Sequence, residues 1–240
     1  MRSIPHKSRA AVAVTALLVV AVLIFAGPAF AHDVSESNAR FVEGIIGAAP
    51  SVFVYLGAKH MITGVDHVLF LLGVVFYLRS LREVILYASL FTLGHSLTLI
   101  FGVLFEIQAS APLVDAVIGL SVVYKALENL GAGKYVPKSF LPDIRIMVFV
   151  FGLVHGFGLA TKLQALTLSK EGLLVNLLSF NLGVELGQAL ALGAMLLVLS
   201  IWRMGQMKPR HVFAVHFVSL TAGFILVGMH LFGFMAENSL

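Results

Sequence analysis

No cysteine occurs in the 240 residues, so neither a disulfide framework nor a thiolate metal site is available to this chain. Charge is also scarce. Only 12% of residues are Asp, Glu, Lys or Arg, against about 25% in a typical soluble domain. With 59% hydrophobic residues and a mean hydropathy of +0.99, the chain reads as an integral membrane protein in a lipid bilayer. The net charge of +4 would suggest nucleic acid only if its position were ignored, and the basic residues fall between apolar runs instead. No nucleotide-binding motif is present and none for an organic cofactor: "HGFGLA" lacks the preceding strand of a dinucleotide loop. "GHSLT" is not a G-x-S-x-G nucleophile elbow. Histidines do not recur as H-x-x-x-H pairs, as membrane di-iron oxygenases need. The sequence therefore offers no catalytic residues, and the expectation is that the protein is not an enzyme.

What is present begins with a secretory signal over residues 1–31. Arg2, Lys7 and Arg9 precede the apolar core "AAVAVTALLVVAVLIFA", Gly27 and Pro28 break it, and Ala29-Phe30-Ala31 supplies a small-x-small cleavage pattern. Residues 32–50 form a polar, loosely ordered external lead-in that carries His32 and Asp33. Residues 51–240 form one all-α transmembrane bundle. A span needs about 20 mostly apolar residues, and six segments qualify: 52–78, 84–105, 112–130, 144–162, 173–201 and 211–235. The first invites a break at Gly64, with "SVFVYLGAKH" as a separate short or re-entrant helix.

Loop charges orient the bundle by the positive-inside bias. Arg79 and Arg82, Lys134 and Lys138, and Arg203, Lys208 and Arg210 fill alternate loops. "EIQASAP" has no basic residue, and "KLQALTLSKEG" has Lys162 and Lys170. The expected location is a bacterial inner membrane with both mature termini outside.

Polar residues inside the spans then fall into stripes. Asn181, Glu185 and Gln188 sit at i, i+4 and i+7. Gly152-x-x-x-Gly156 is a small-xxx-small packing face. At about 1.5 Å rise per residue, His67, His95 and His155 each lie roughly 15–18 Å from the basic loops. Asp66, His67, His95, His155 and Glu185 thus share a level on four different spans. A charged group at that depth costs roughly 2.5–3.5 kcal/mol, and a proton, a metal ion or a structural hydrogen bond must offset it. Imidazole with carboxylate suits nickel, cobalt, zinc or iron over magnesium or calcium; a proton relay uses the same residue types. His60 and His67 are seven residues apart, about 10 Å along an unbroken helix. They reach one ion only if the chain breaks at Gly64; otherwise His60 is an earlier station. Asp115, Glu128, Asn181, Gln188, His216 and His230, with His32 and Asp33, mark a path or supporting contacts.

These residues also carry a family resemblance. His60-x5-Asp66-His67 matches an H-x5-D-H motif, and "FTLGHSLTL", "FGLVHGFGLA" and "FNLGVELGQ" match further blocks over about residues 50–235. The chain resembles the second branch of the HupE/UreJ family of bacterial membrane proteins, which are linked to nickel supply for hydrogenase and urease. The resemblance implies an inner-membrane permease for Ni2+ or Co2+. His60, Asp66, His67, His95, His155 and Glu185 would handle the metal, and a metalloenzyme maturation system would be a partner. The chain departs from the F-H-G-x-x-H-G-x-E block of nickel permeases, since "FVFGLVHGFGLA" keeps only His155 and has no acid after it. A non-transporting accessory protein for metalloenzyme assembly is the alternative, followed by a metal-dependent membrane enzyme.

Overall fold

The computed structural model describes residues 41–78, 80–135, 143–166, 169–205, 207–237 and 239. The signal segment, His32, Asp33, Arg79 and Lys138 lie outside the described residues.

Among the described residues the fold is all-helical. Its helices are α1 (Pro50–Thr63), α2 (Val65–Val75), α3 (Leu81–Leu104), α4 (Ala111–Asn129), α5 (Ile144–Gln164), α6 (Leu173–Met204) and α7 (Pro209–Glu237), with a short 3-10 turn at Ala132–Tyr135. Pro50 opens α1, where a missing N–H costs nothing. The Asp143 carboxylate caps α5 by accepting from the Arg145 N–H at 2.7 Å.

Four helices, α3, α5, α6 and α7, are long and apolar enough to cross a membrane. The pair α1 and α2 meets the same description as one span bent by 65°. The remaining expected span, 112–130, does form a helix, α4. It falls outside the apolar set because Asp115, Lys125 and Glu128 lie within its nineteen residues. Two of those charges are paired on the spot, Lys125 Nζ with Glu128 Oε2 at 2.9 Å.

Helices associate in three pairs: α1 with α6, α3 with α5, and α4 with α7. The first two run parallel, as the order of their contacts shows: Val54 and Ala58 of α1 meet Gly183 and Gly187 of α6, while Phe91 and His95 of α3 meet Gly152 and Gly156 of α5. The third pair is antiparallel, with Gly119 on Val227 and Val123 on Gly223. The expected Gly152–Gly156 face is used as such. A Cβ on either glycine would run into the backbone carbonyl of Phe91 or His95, so the missing side chains let two backbones touch where lipid gives no hydrophobic drive for association. The short α2 packs against α4, α6 and α7. Nine of its eleven residues are buried.

The lead-in, expected to be loose, is fastened where it is described. Asn176 of α6 accepts from the Ala49 N–H at 2.7 Å and donates to Gly47 O at 3.0 Å. Val42 is buried as well. One amide side chain thus satisfies two backbone groups of the segment, accepting through its oxygen and donating through its nitrogen.

Candidate metal centre

The site is built by the break between α1 and α2. Gly64 takes φ −69° and ψ 107°, an extended conformation that ends one helix and begins the next. Its N–H still bonds His60 O at 2.9 Å, and its own carbonyl accepts from Val68 at 3.0 Å, so the turn leaves few backbone groups unmet. Glycine is required by space rather than by φ. A Cβ there would stand 2.6 Å from His67 Nδ1 and 3.1 Å from Asp66 Oδ1.

The bend does what the unbroken spacing forbids. The rings of His60 and His67 come to 4.9 Å between centroids. Ligand atoms of His60, His67 and His95 all lie within 4.8 Å of one another, and so do those of Asp66, His67 and His155. His67 belongs to both groups, and the His67–His155 rings are 4.8 Å apart. Five side chains thus converge from α1, α2, α3 and α5. A tetrahedral shell with bonds of about 2.1 Å spaces its ligand atoms roughly 3.4 Å apart, so the observed spread is a side-chain rotation wider than a closed shell.

Burial and hydrogen bonding say which atoms can take a cation. His95 is 0% exposed, His155 1%, His67 2% and Asp66 3%, which removes all four from lipid and bulk water; His60 is half-buried. Asp66 Oδ1 accepts from the His67 backbone N–H at 2.8 Å and faces His67 Nδ1 at 2.9 Å. A carboxylate only accepts, so Nδ1 carries the proton and the lone pair of His67 is on Nε2. This carboxylate–imidazole arrangement is how metal-binding histidines are commonly oriented. By the same logic His155 Nδ1 donates to Phe151 O at 2.7 Å, putting its lone pair on Nε2. His60 Nε2, His67 Nε2 and both nitrogens of His95 are buried without a hydrogen-bond partner. Each such atom costs about 1–3 kcal/mol, a concentration of unmet polar groups that a pure packing role does not explain.

The surroundings favour a cation further. His60 lies in the last turn of α1, so the negative end of that helix points toward the cluster. Asp66 sits in the first turn of α2, where it offsets the positive end. Phe91 closes over the imidazoles, 5.0 Å from His155 and 6.2 Å from His67. Phe70 lies 5.7 Å from His155, and Phe180 lies 5.9 Å from His60.

Other expected residues lie elsewhere. Glu185 is exposed and joins neither group, which corrects the expectation that it shares the buried level. The reason is angular. Taking Asn181 as zero and about 100° per residue, the buried positions of α6 from Asn176 to Leu192 occupy an arc from about −160° to +20°, and Glu185 falls near +40°, just past its edge. Asn181 is buried beside His95; its amide nitrogen donates to Leu177 O at 3.0 Å, and its Oδ1 is buried without a hydrogen-bond partner. Gln188 braces α6 to α3, accepting from Thr92 Oγ1 at 2.5 Å. His216 packs on Phe76 at 4.4 Å and Tyr77 at 5.5 Å, apart from the cluster. Asp115 and His230 meet at 3.8 Å, and Asp115 pairs with Lys162 at 2.8 Å. Lys162 was expected in an external loop. It stands instead in the last turn of α5, seven residues beyond His155 and so on much the same face, a spacing that was visible in the sequence.

Fold and site together define a helical membrane protein with a buried histidine–aspartate cluster that could hold a metal ion. The sequence model described as HupE / UreJ protein matches residues 36–238, and the chain belongs to that family. No curated protein and no solved structure matches it.

Proposed function

We propose that this protein is a permease that moves a divalent transition-metal ion, nickel or cobalt, across the bacterial inner membrane. The carrying observation is the Gly64 break, which turns two histidines seven residues apart into neighbours and sets a third beside them. Broken helices that present half-helix ends and ionisable side chains within the membrane are a recurring device of transporters. In this reading the ion binds on His60, His67, His95 and His155, with Asp66 orienting His67 and supplying the negative charge. A shell somewhat wider than a closed tetrahedron suits transit, since conduction requires binding that can also let go. His60, the least buried of the set, is where the ion first makes contact.

The finer topology belongs to the same proposal. The bent pair and the five other helices make six spans, with α4 crossing inside the bundle under cover of α2, α5 and α7. The helix ends and connections bearing Arg82, Lys134 and Lys208 face the cytoplasm. The metal is substrate rather than resident cofactor, and no reaction is catalysed.

The test is uptake by purified protein in liposomes against a panel of divalent ions. His67→Ala with wild-type uptake per inserted molecule would overturn the reading. The accessory-protein alternative makes the opposite prediction at one point: Co2+ binds to the purified protein, but no ion crosses.

A further inference from the structure

A second polar cluster lies where the end of α5 meets the beginning of α4. Lys162 Nζ is 2.8 Å from Asp115 Oδ2, and His230 Nδ1 of α7 is 3.8 Å from the same oxygen. The Asp115, Lys162 and His230 side chains are only 9, 13 and 20% exposed. Helix α5 makes room by carrying glycine at 158, where a Cβ would stand 3.3 Å from Asp115 Oδ1. Three helices therefore converge on one carboxylate, and the group that neutralises it is an ammonium on a flexible four-carbon stem.

The cluster is not isolated from the histidines. Lys162 is two helical turns from His155 on the same helix, about 10 Å along the axis. It is close enough to His60 to act on it electrostatically. A cation bound among the histidines and the Lys162 ammonium therefore repel each other through a medium of low dielectric.

We propose that Asp115 and His230 form a second divalent-cation site and that Lys162 is its tethered occupant, which an arriving ion must displace. The inference rests on the permease reading for its purpose, but its chemistry is local. A carboxylate oxygen and an imidazole nitrogen are a donor pair suited to first-row divalent ions. Lys162 already occupies the position that a metal would take on Oδ2. A monovalent ion gains too little from one carboxylate to replace an ammonium held at 2.8 Å, whereas a divalent ion that also draws on imidazole gains more. The lysine thus selects by charge and ligand preference before the histidine cluster is reached. Its displacement leaves a positive side chain near His60 that keeps a second ion from following.

The experiment counts bound Co2+ by equilibrium dialysis of the purified full chain in detergent, without reference to transport. Lys162→Met removes the competitor. Lys162→His removes it while adding a third donor, and it serves if an uncompensated carboxylate prevents folding of the first variant. At a Co2+ concentration too low to displace Lys162 in the wild type, each monodisperse variant is expected to bind one equivalent more, and Lys162→His combined with Asp115→Asn is expected to return to the wild-type number. No additional equivalent in Lys162→His would overturn the proposal, as would an additional equivalent that survives Asp115→Asn. A wild type that binds no Co2+ counts against the histidine site alone, because the gain on removing Lys162 is read as a difference.

Discussion

The cluster around His67 and the cluster at the other end of α2 are both buried and polar, yet they treat their polar atoms in opposite ways. At the far end of α2, backbone carbonyls are taken up by side chains: Asn129 donates to Gly73 O at 2.8 Å, and Arg203 to Phe76 O at 2.6 Å. Lys125 is held by Glu128. Among the described residues, His216 Nε2, Trp202 Nε1 and, at the start of α7, His211 Nδ1 are the buried side-chain atoms left without a partner toward that end. Around His67, four imidazole nitrogens on three residues are left so within one small volume. Burial of polar groups alone therefore does not separate a site from a brace. What separates them is whether the hydrogen bonds close within the protein.

That contrast is sharpest in variants that move function and stability in different directions. His67→Ala and Asp66→Ala are expected to lower Co2+ uptake per inserted molecule at least tenfold while leaving membrane insertion unchanged, measured in liposomes with quantified protein. Loss of uptake that merely followed loss of protein would place this cluster with the braces.

Gly64→Ala is expected to have the next largest effect, through space. The added methyl crowds His67 Nδ1 and Asp66 Oδ1, so Co2+ affinity should fall about tenfold, as a binding isotherm would show. The thermal midpoint should fall by only a few degrees, because φ −69° and ψ 107° suit alanine and its smaller unfolded-state entropy, about 0.4–1 kcal/mol, offsets part of the crowding.

At the brace, Arg203→Ala and Asn129→Ala should each cost about 1–2 kcal/mol of stability, the scale of a hydrogen bond within a helical bundle. Uptake per folded molecule should stay within twofold of wild type. A thermal denaturation series beside the uptake assay checks both. The smallest effect belongs to Glu185→Gln, which should change neither affinity nor stability by more than a factor of two, since that carboxylate faces out of the bundle.

Much of the site could be read from the chain because depth in a membrane is a matter of counting. His67, His95 and His155 lie at similar distances from the basic loops, and a fixed rise per residue turns those distances into one level. The break at Gly64 was legible as a condition, since two histidines seven apart cannot otherwise share an ion. What counting does not supply is the angle at which a helix meets its neighbours. Glu185 lies on the right turn and about 20° beyond the buried arc, a margin that periodicity within one helix cannot resolve. Lys162 was missed for a related reason. A lysine near the end of an apolar run looks like a loop charge until a partner on another helix is known, and Asp115 lies 47 positions away. The charged face of α4 is legible as composition, but its cover by α2, α5 and α7 is a tertiary fact.

The pairing of helices bears on how the histidines can part. His60 belongs to the pair α1–α6, and His95 with His155 to the pair α3–α5, each pair locked by glycine against backbone. Asp66 and His67 ride on α2, hinged to α1 at Gly64. A slide of one pair past the other leaves the separation of His95 from His155 untouched and changes their distance from His60 directly. The ring of imidazoles is thus seamed along a single line, and shear along that line unfastens it one residue at a time.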